Sequence, residues 1–155
     1  MTEASYRDLT AGLDPQQVAE AVGAGMYEHD HCAQHLGIRL LEIAPGYAKM
    51  EMVVRRDMLN GFAICHGGIV TTLADTAFAY SCNSYNEMTV ASGLATEFLA
   101  PVREGDVLTA EGREVALAGR TGVYDVGITN QRGELVAVMR GKSYRLKGRA
   151  VVELD

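Results

Sequence analysis

The chain has 155 residues, 48% of them hydrophobic and 22% charged, with no Trp and a formal net charge of −6. That length suggests one domain with a core able to stand without staples. The acidic balance lacks the broad basic field of a nucleic-acid binder or of a protein held on anionic lipid, and no apolar run reaches the ~18 residues of a membrane span. Neither nucleic acid nor membrane is therefore expected as a partner.

The N-terminal stretch MTEASYRDLTAGLDPQQ is polar and lacks the apolar centre of a secretory signal. Cys32, Cys65 and Cys82 form an odd set with no C-x-x-C pair, which speaks against a disulfide framework or a zinc ribbon. Reduced thiols in a cytoplasmic protein are the reading these features share.

In chain order, residues 1–13 read as loosely ordered. Asp14-Pro15 supplies an N-cap followed by proline at the first helical position, and predicts a helix from Pro15 to about His35 with Gly37 as its stop. The period then changes to two. Ala48, Met50, Met52 and Val54 share one face while Tyr47, Lys49 and Glu51 share the other. With Pro45-Gly46 as the turn, residues 38–43 and 47–55 read as a hairpin. Asn60 to Gly68 is loop-like. Residues 66–84, HGGIVTTLADTAFAYSCNS, are small or apolar around most of the circumference and predict a core helix.

Strand candidates follow at 89–100, 107–117, 122–129 and 135–146, separated by Pro101, Glu104-Gly105-Asp106, Ala118-Gly119 and Asn130-Gln131-Arg132-Gly133. Short loops between consecutive strands predict an antiparallel meander. A buried helix followed by such a meander is an α+β layout, a sheet wrapped around one helix. The exposed sheet edge and half-covered helix predict a dimer.

Asp75 stands mid-helix among Leu73, Ala74, Thr76, Ala77 and Phe78, too far in to be a cap. Burying an unpaired carboxylate costs several kcal/mol or raises its pKa until it is neutral. Two readings stay open: an acid satisfied by a hydroxyl or amide from a neighbouring strand, or a general base or nucleophile in a desolvated cavity. His66-Gly67-Gly68 opens the same helix, where free N–H groups and the positive dipole end lie. Two glycines admit a close ligand, so an oxyanion hole is one reading; a tight loop with His66 as cap is the other.

Asn60-Gly61 is by itself a turn signal. His29, His31 and His35, with Glu28 and Asp30, read as a solvated helix face rather than a metal site, and no metal is expected. Cys65-His66 is no nucleophile–base pair, because adjacent side chains point apart. No phosphate-binding glycine loop is present. Arg140, Lys142, Arg145, Lys147 and Arg149 fall close together with no acid among them. They read either as a guarded, solvated edge strand or, with Arg120, as a landing site for a polyphosphate.

The run N-G-x-x-x-C-H-G-G-x-x-x-x-L-A-D-T-A-F-A-Y-x-C-N-S, from Asn60 to Ser84, resembles the bacterial phenylacetyl-CoA thioesterases of the hotdog-fold thioesterase superfamily. The similarity begins near Met26-Tyr27-Glu28-x-Asp30 and continues through Phe98-Leu99-x-Pro101, Gly105-Asp106-x-Leu108-Thr109-Ala110, Thr121-Gly122-Val123-Tyr124-Asp125 and Arg140-Gly141-Lys142-Ser143. It divides the chain into an N-terminal extension and helix start (1–25), a hotdog thioesterase domain (26–147) and a C-terminal tail (148–155). Thr71-Thr72 departs from the bulkier apolar residues common there.

The resemblance implies a hotdog fold with an added N-terminal helix. It implies hydrolysis of phenylacetyl-CoA or related small aryl-acyl-CoA thioesters in phenylacetate degradation, without a cofactor, coenzyme A being part of the substrate. The family's catalytic acid falls on Asp75, its oxyanion-hole amide on Gly67 beside His66, and its asparagine on Asn60. Substrate contacts are expected from Gly68, Thr76, Arg120, Thr121, Gly122, Lys142 and Ser143, with Arg120, Lys142, Ser143 and Arg145 as candidates for the coenzyme A phosphates. A homodimer, often paired into a tetramer, is also implied.

Gly67 and Asp75 are eight residues apart on one helix, hence ~12 Å apart along its axis at 1.5 Å per residue. One thioester carbonyl cannot reach both from the same chain, so the expectation is a site shared across a two-fold interface. Two rivals remain, since fold does not settle function. A hotdog dehydratase needs a second acid/base partner with a different His/Asp spacing around the helix, and no added DNA-binding segment or basic arm is visible, which counts against a transcriptional acyl-CoA sensor.

Overall fold

The computed structural model describes residues 10–154; the expectations for residues 1–9 and for Asp155 lie outside these. Residues 10–13 form a turn closed by Leu13 N–H donating to the Thr10 carbonyl. Helix α1 (Pro15–His29) starts as expected. The Asp14 carboxylate accepts from Gln17 N–H at 2.9 Å and Gln17 Oε1 accepts from Asp14 N–H at 3.1 Å, so two otherwise orphaned donors are satisfied.

The single helix predicted to about His35 is instead two. At Asp30 the backbone leaves the helical region (φ −85°, ψ 77°), and its carboxylate accepts from Ala33 N–H at 3.0 Å, starting α2 (His31–Leu36). A short polar side chain that bonds the backbone two or three residues on competes with helix continuation, and here it wins. Gly37, at φ +69°, ends α2 as expected.

The hairpin is β1 (Arg39–Ala44) and β2 (Tyr47–Val53), with Ala48, Met50 and Met52 buried as the alternation requires. Helix α3 (Gly67–Asn83) follows a loop, and then β3 (Thr89–Phe98), β4 (Val107–Ala118), β5 (Thr121–Thr129) and β6 (Leu135–Arg145). All six strands form one antiparallel sheet in the order β1-β2-β4-β5-β6-β3, curled around α3. The α+β hotdog layout, a sheet wrapped on a long central helix with helices added before it, is what the sequence led us to expect.

The meander was expected to pair β3 with β4. β3 pairs instead with β6 and forms an edge, while β4 enters beside β2. The reason lies in the β3–β4 connection. The Val102 carbonyl accepts from Cys65 N–H, and Val54 N–H and carbonyl are bonded to Asp106 and Gly105. The connection is thus stitched to the end of β2 before β4 begins, and the next strand has only that edge to join.

The core lies between α3 and the concave face: Leu73, Ala77 and Phe78 of α3 against Met50, Met52, Leu108, Ala110, Tyr124, Val126 and Met139. Fully burying a side chain such as Leu73 or Phe78 contributes roughly 1.5–3 kcal/mol. Close approach is needed at Gly112 of β4, where an added Cβ would lie 2.4 Å from Ser81 Oγ and 2.9 Å from the Ala77 carbonyl.

After β6 the chain turns back. Asn86, at φ +60°, accepts from Val151 and Val152 N–H at 3.0 and 2.9 Å and donates to the Val152 carbonyl at 3.1 Å. The Val152 side chain packs on Gly25 of α1. The tail from residue 148 to 154 is therefore tied to the body of the fold.

Candidate active site

The start of α3 carries the first cluster. His66 is the N-cap, and its Nδ1 accepts from Gly68 N–H at 3.2 Å. That bond uses Nδ1 as an acceptor, so the ring's other nitrogen, Nε2, is the one left to donate. Gly68 N–H is thereby used. Gly67 N–H makes no hydrogen bond among the described residues, and at the positive end of a seventeen-residue helix it is a donor suited to a developing oxyanion.

A cavity of about 490 Å³ opens beside it, lined by Asn60, Cys65, Gly67, Val70, Phe98 and Val136 among others. Asn60 Oδ1 accepts from Phe62 N–H at 2.9 Å and more weakly from Ile64 N–H at 3.4 Å, holding the loop that leads to His66. Its amide nitrogen has no partner among the described residues and is left to donate. Asn60 thus shapes the loop and lines the cavity at once. Cys65 is no nucleophile: burial pushes its thiol up to about 11, and its sulfur lies 3.8 Å from the His66 carbonyl rather than against the ring.

Asp75 lies on a half-exposed stripe of α3 with Thr71, Thr72, Thr76 and Ala79. Thr72 and Thr76 turn their hydroxyls back to the Gly68 and Thr72 carbonyls at 2.8 and 2.7 Å, so neither donates to the acid. Thr71 is tied to Thr96 of β3 at 3.3 Å. Among the described residues no hydroxyl, amide or cation bonds to the Asp75 carboxylate. The reading of a core acid satisfied by a neighbouring strand thus finds no donor in the single chain. Desolvation by burial, and then the negative charge of Asp30, hold its carboxyl above the usual carboxylate range. A half-buried, unpartnered and unusually basic carboxylate is chemically equipped to take a proton from water or to attack a carbonyl.

The thioesterase superfamily model matches residues 62–137. The acyl-coenzyme A thioesterase PaaI of Escherichia coli is 48% identical over 123 residues, spanning 79% of this chain and 88% of that protein. The chain belongs to the thioesterase superfamily. The solved structure of the E. coli PaaI protein, from the phenylacetic acid degradation operon, superposes with a TM-score of 0.86 at 44% identity, covering 88% of this chain and 99% of that one. A Streptococcus pneumoniae thioesterase protein solved with coenzyme A matches at a TM-score of 0.70 and 26% identity, over 73% of this chain and 91% of that one.

Within this thioesterase-superfamily chain the expected site residues fall into separate places. Asn60, His66, Gly67 and Gly68 gather at the start of α3, and Asp75 and Thr76 lie two turns further along. Arg120, Thr121, Gly122, Lys142 and Ser143 gather at the far end of β5 and β6, where Gly122 pairs with Ser143 and Thr121 with Tyr144. Of these, Arg120, Thr121 and Lys142 are exposed; Gly122 and Ser143 are buried toward α3. Ser143 Oγ is a buried hydroxyl without a partner among the described residues.

Arg145 is committed elsewhere: its guanidinium lies 3.6 Å from the buried Glu87 and over the Tyr85 ring. Arg140 is held by Asp125 through two bonds of 2.7 and 2.8 Å. The basic cluster of the sequence is thus partly neutralised by acids that strand pairing brings across.

Phe98 was not singled out as a site residue. It is 55% exposed, and its ring rests on Gly67. The signal was present in the sequence: an aromatic at the end of a strand, directly before a proline-marked loop. Its meaning needed the β3–α3 contact. The histidines of residues 29–35 do not converge with acids into a metal-binding group among the described residues, and no helix is long and apolar enough to cross a membrane.

Proposed function

We propose that this protein is an acyl-CoA thioesterase that hydrolyses phenylacetyl-CoA or related small aryl-acyl-CoA thioesters to free acid and coenzyme A. The observation that carries the reading is the unpartnered Asp75 carboxylate on the helix whose first amide, Gly67 N–H, is also unpartnered. The E. coli relative is named an acyl-coenzyme A thioesterase, and its structure is described as belonging to the phenylacetic acid degradation operon, which supports the substrate class and the process. Coenzyme A enters as part of the substrate, a role the coenzyme A held by the S. pneumoniae relative supports. No further cofactor is required by the chemistry.

In the proposed reaction the thioester oxygen accepts from Gly67 N–H as negative charge develops. Asn60 and His66 Nε2–H orient the carbonyl or the water. By one route Asp75 takes a proton from water as the hydroxide oxygen bonds to the acyl carbon; the tetrahedral intermediate then expels coenzyme A thiolate, which takes up that proton. By the other, Asp75 attacks the acyl carbon, thiolate leaves, and water cleaves the resulting anhydride. Thiols have pKa near ~8.5, so the leaving group needs no strong general acid.

The ~12 Å between Gly67 and Asp75 along one helix supports a site built from Gly67 of one subunit and Asp75 of its neighbour. Edge strand β3, which exposes Val90, Leu94 and Phe98, is the natural surface for that dimer; pairing of dimers into a tetramer belongs to the same reading. Gly68 and Thr76 line the approach to the acid, and Arg120, Thr121 and Lys142, beside Gly122 and Ser143, receive the coenzyme A phosphates. A cytoplasmic location fits a salvage enzyme that returns coenzyme A from stalled thioesters. Thiol release from a panel of acyl-CoAs tests the assignment. Aryl-acyl substrates should lead the panel, and absence of release from every member would sink it.

A further inference from the structure

The cavity beside Gly67 has an aliphatic wall. Ile64, Val70, Leu99, Pro101 and Val136 line it, and none of its lining residues carries a charge. Phe98 is the one aromatic among them. Its ring meets Gly67 with its tip: a β-carbon added there would lie 3.0 Å from Cζ and 3.4 Å from both Cε1 and Cε2. More than half of the residue nevertheless stays exposed. Phe62, more exposed still, sits on the turn held by Asn60 and is not part of this wall.

The backbone that carries this ring is fixed. Phe98 pairs with Ala137 of β6, and Leu99 N–H and Ala100 N–H both donate to the Val136 carbonyl, at 2.8 and 3.3 Å. One turn along α3, the Thr71 hydroxyl donates to Thr96 Oγ1 at 3.3 Å. Four helical residues rise ~6 Å and two strand residues ~6.6 Å. The Gly67–Phe98 and Thr71–Thr96 contacts are therefore successive rungs between α3 and β3, while Ala95 and Glu97 turn to the other face beside Arg140. Strand and helix are held in register, and the Phe98 ring is the part left free to adjust.

We propose that Phe98 sets the acyl preference: its ring packs against the aryl ring of the substrate and selects aryl-acyl over alkyl-acyl thioesters. This rests on the reading of Gly67 N–H as the donor to the thioester oxygen. A carbonyl held on that amide has its acyl group beside Phe98, because the ring tip lies on the same residue's α-carbon. The aliphatic wall rewards the burial of any hydrocarbon, ring or chain, in proportion to its area. An aromatic pair adds an edge-to-face or offset contact that a chain cannot make. Phe98 is the lining residue able to supply it.

Phe98→Leu keeps an apolar wall and removes the ring; Phe98→Tyr keeps the ring; Phe98→Met replaces the leucine variant should that one fail to fold. kcat and KM for phenylacetyl-CoA and hexanoyl-CoA are measured for wild type and variants, with thermal melting and size-exclusion chromatography to confirm fold and assembly. Wild type should prefer phenylacetyl-CoA. Phe98→Leu should lower kcat/KM for phenylacetyl-CoA by about three- to tenfold, chiefly through KM, and change hexanoyl-CoA by less than about twofold. Phe98→Tyr should keep the preference. If wild type shows no preference, or if it survives intact in Phe98→Leu, the proposal is overturned. Equal losses on both substrates overturn it too, since the ring then serves only the wall or a subunit contact. Thiol release from neither substrate by wild type would instead sink the thioesterase reading, and this proposal with it.

Discussion

The Phe98 ring rests against the α-carbon of Gly67, so closely that a β-carbon added there would lie 3.0 Å from Phe98 Cζ. Phe98 is more than half exposed, and its ring has room to swing aside. Gly67→Ala should therefore fold, with a melting temperature close to wild type, while the displaced ring and the new methyl crowd the cavity beside the free amide. A loss of about tenfold in kcat/KM is expected, within the range seen for small misplacements at a site. Phe98→Leu in the Gly67→Ala background should recover part of it. Full additivity of the two changes in a double-mutant cycle would show that the contact has no bearing on activity.

Asp75 is raised above the ordinary carboxylate range, and its charged form is the active one in either route. Activity should therefore be present above the raised pKa and fall as pH drops through it, placing the acid limb of kcat/KM above the ordinary carboxylate range. Asp75→Asn should lower kcat by at least about a hundredfold.

The same shift has an opposite sign for stability. The folded state disfavours the charged carboxylate, so its penalty is absent below the unfolded pKa and grows as pH rises through the folded one. Asp75→Asn should melt higher than wild type near pH 7, because the neutral amide escapes the desolvation that opposes the charged carboxylate. The gain should vanish near pH 3. Equal melting temperatures at both pH values would contradict an unpartnered acid.

Complementation checks the shared site. Asp75→Ala and Gly67→Pro chains, each folded and inactive alone, should recover activity when mixed and allowed to exchange subunits. One of the two interfacial sites in each heterodimer then holds a wild-type Asp75 and a wild-type Gly67. Mixtures that exchange subunits yet stay inactive would rule the arrangement out.

Asn86 offers a test of the fold away from the site. It is buried, sits at φ +60°, and holds the tail through three side-chain bonds. Asn86→Ala leaves those backbone groups without their partner and should cost about 1–3 kcal/mol by urea unfolding. Cleavage within residues 148–154 by a protease should quicken.

The elements were legible because their signals are local. Alternation at Ala48, Met50 and Met52 marked β2, a near-unbroken small and apolar run marked α3, and Gly37 marked the end of α2. The helix break at Asp30 was missed because an acid among histidines looks like a solvated face until its carboxylate is seen to bond Ala33 and Tyr80. The place of β3 at the sheet edge was missed because short connections favour neighbours in sequence, whereas Gly105 and Asp106, bonded to Val54, stitch the start of β4 to the end of β2.

The sequence by itself determined the family and singled out Asp75, Gly67, His66 and Asn60, since a long motif with one acid on an apolar helix has few other meanings. Only the tertiary structure decided the state of those groups. It left Asp75 without a donor, used Gly68 N–H on His66 while leaving Gly67 N–H free, and turned Asp30 toward α3. Periodicity reports which face of an element is buried; hydrogen-bond partners and neighbouring charges come from segments far apart in the chain, and exist only once the sheet has closed around the helix.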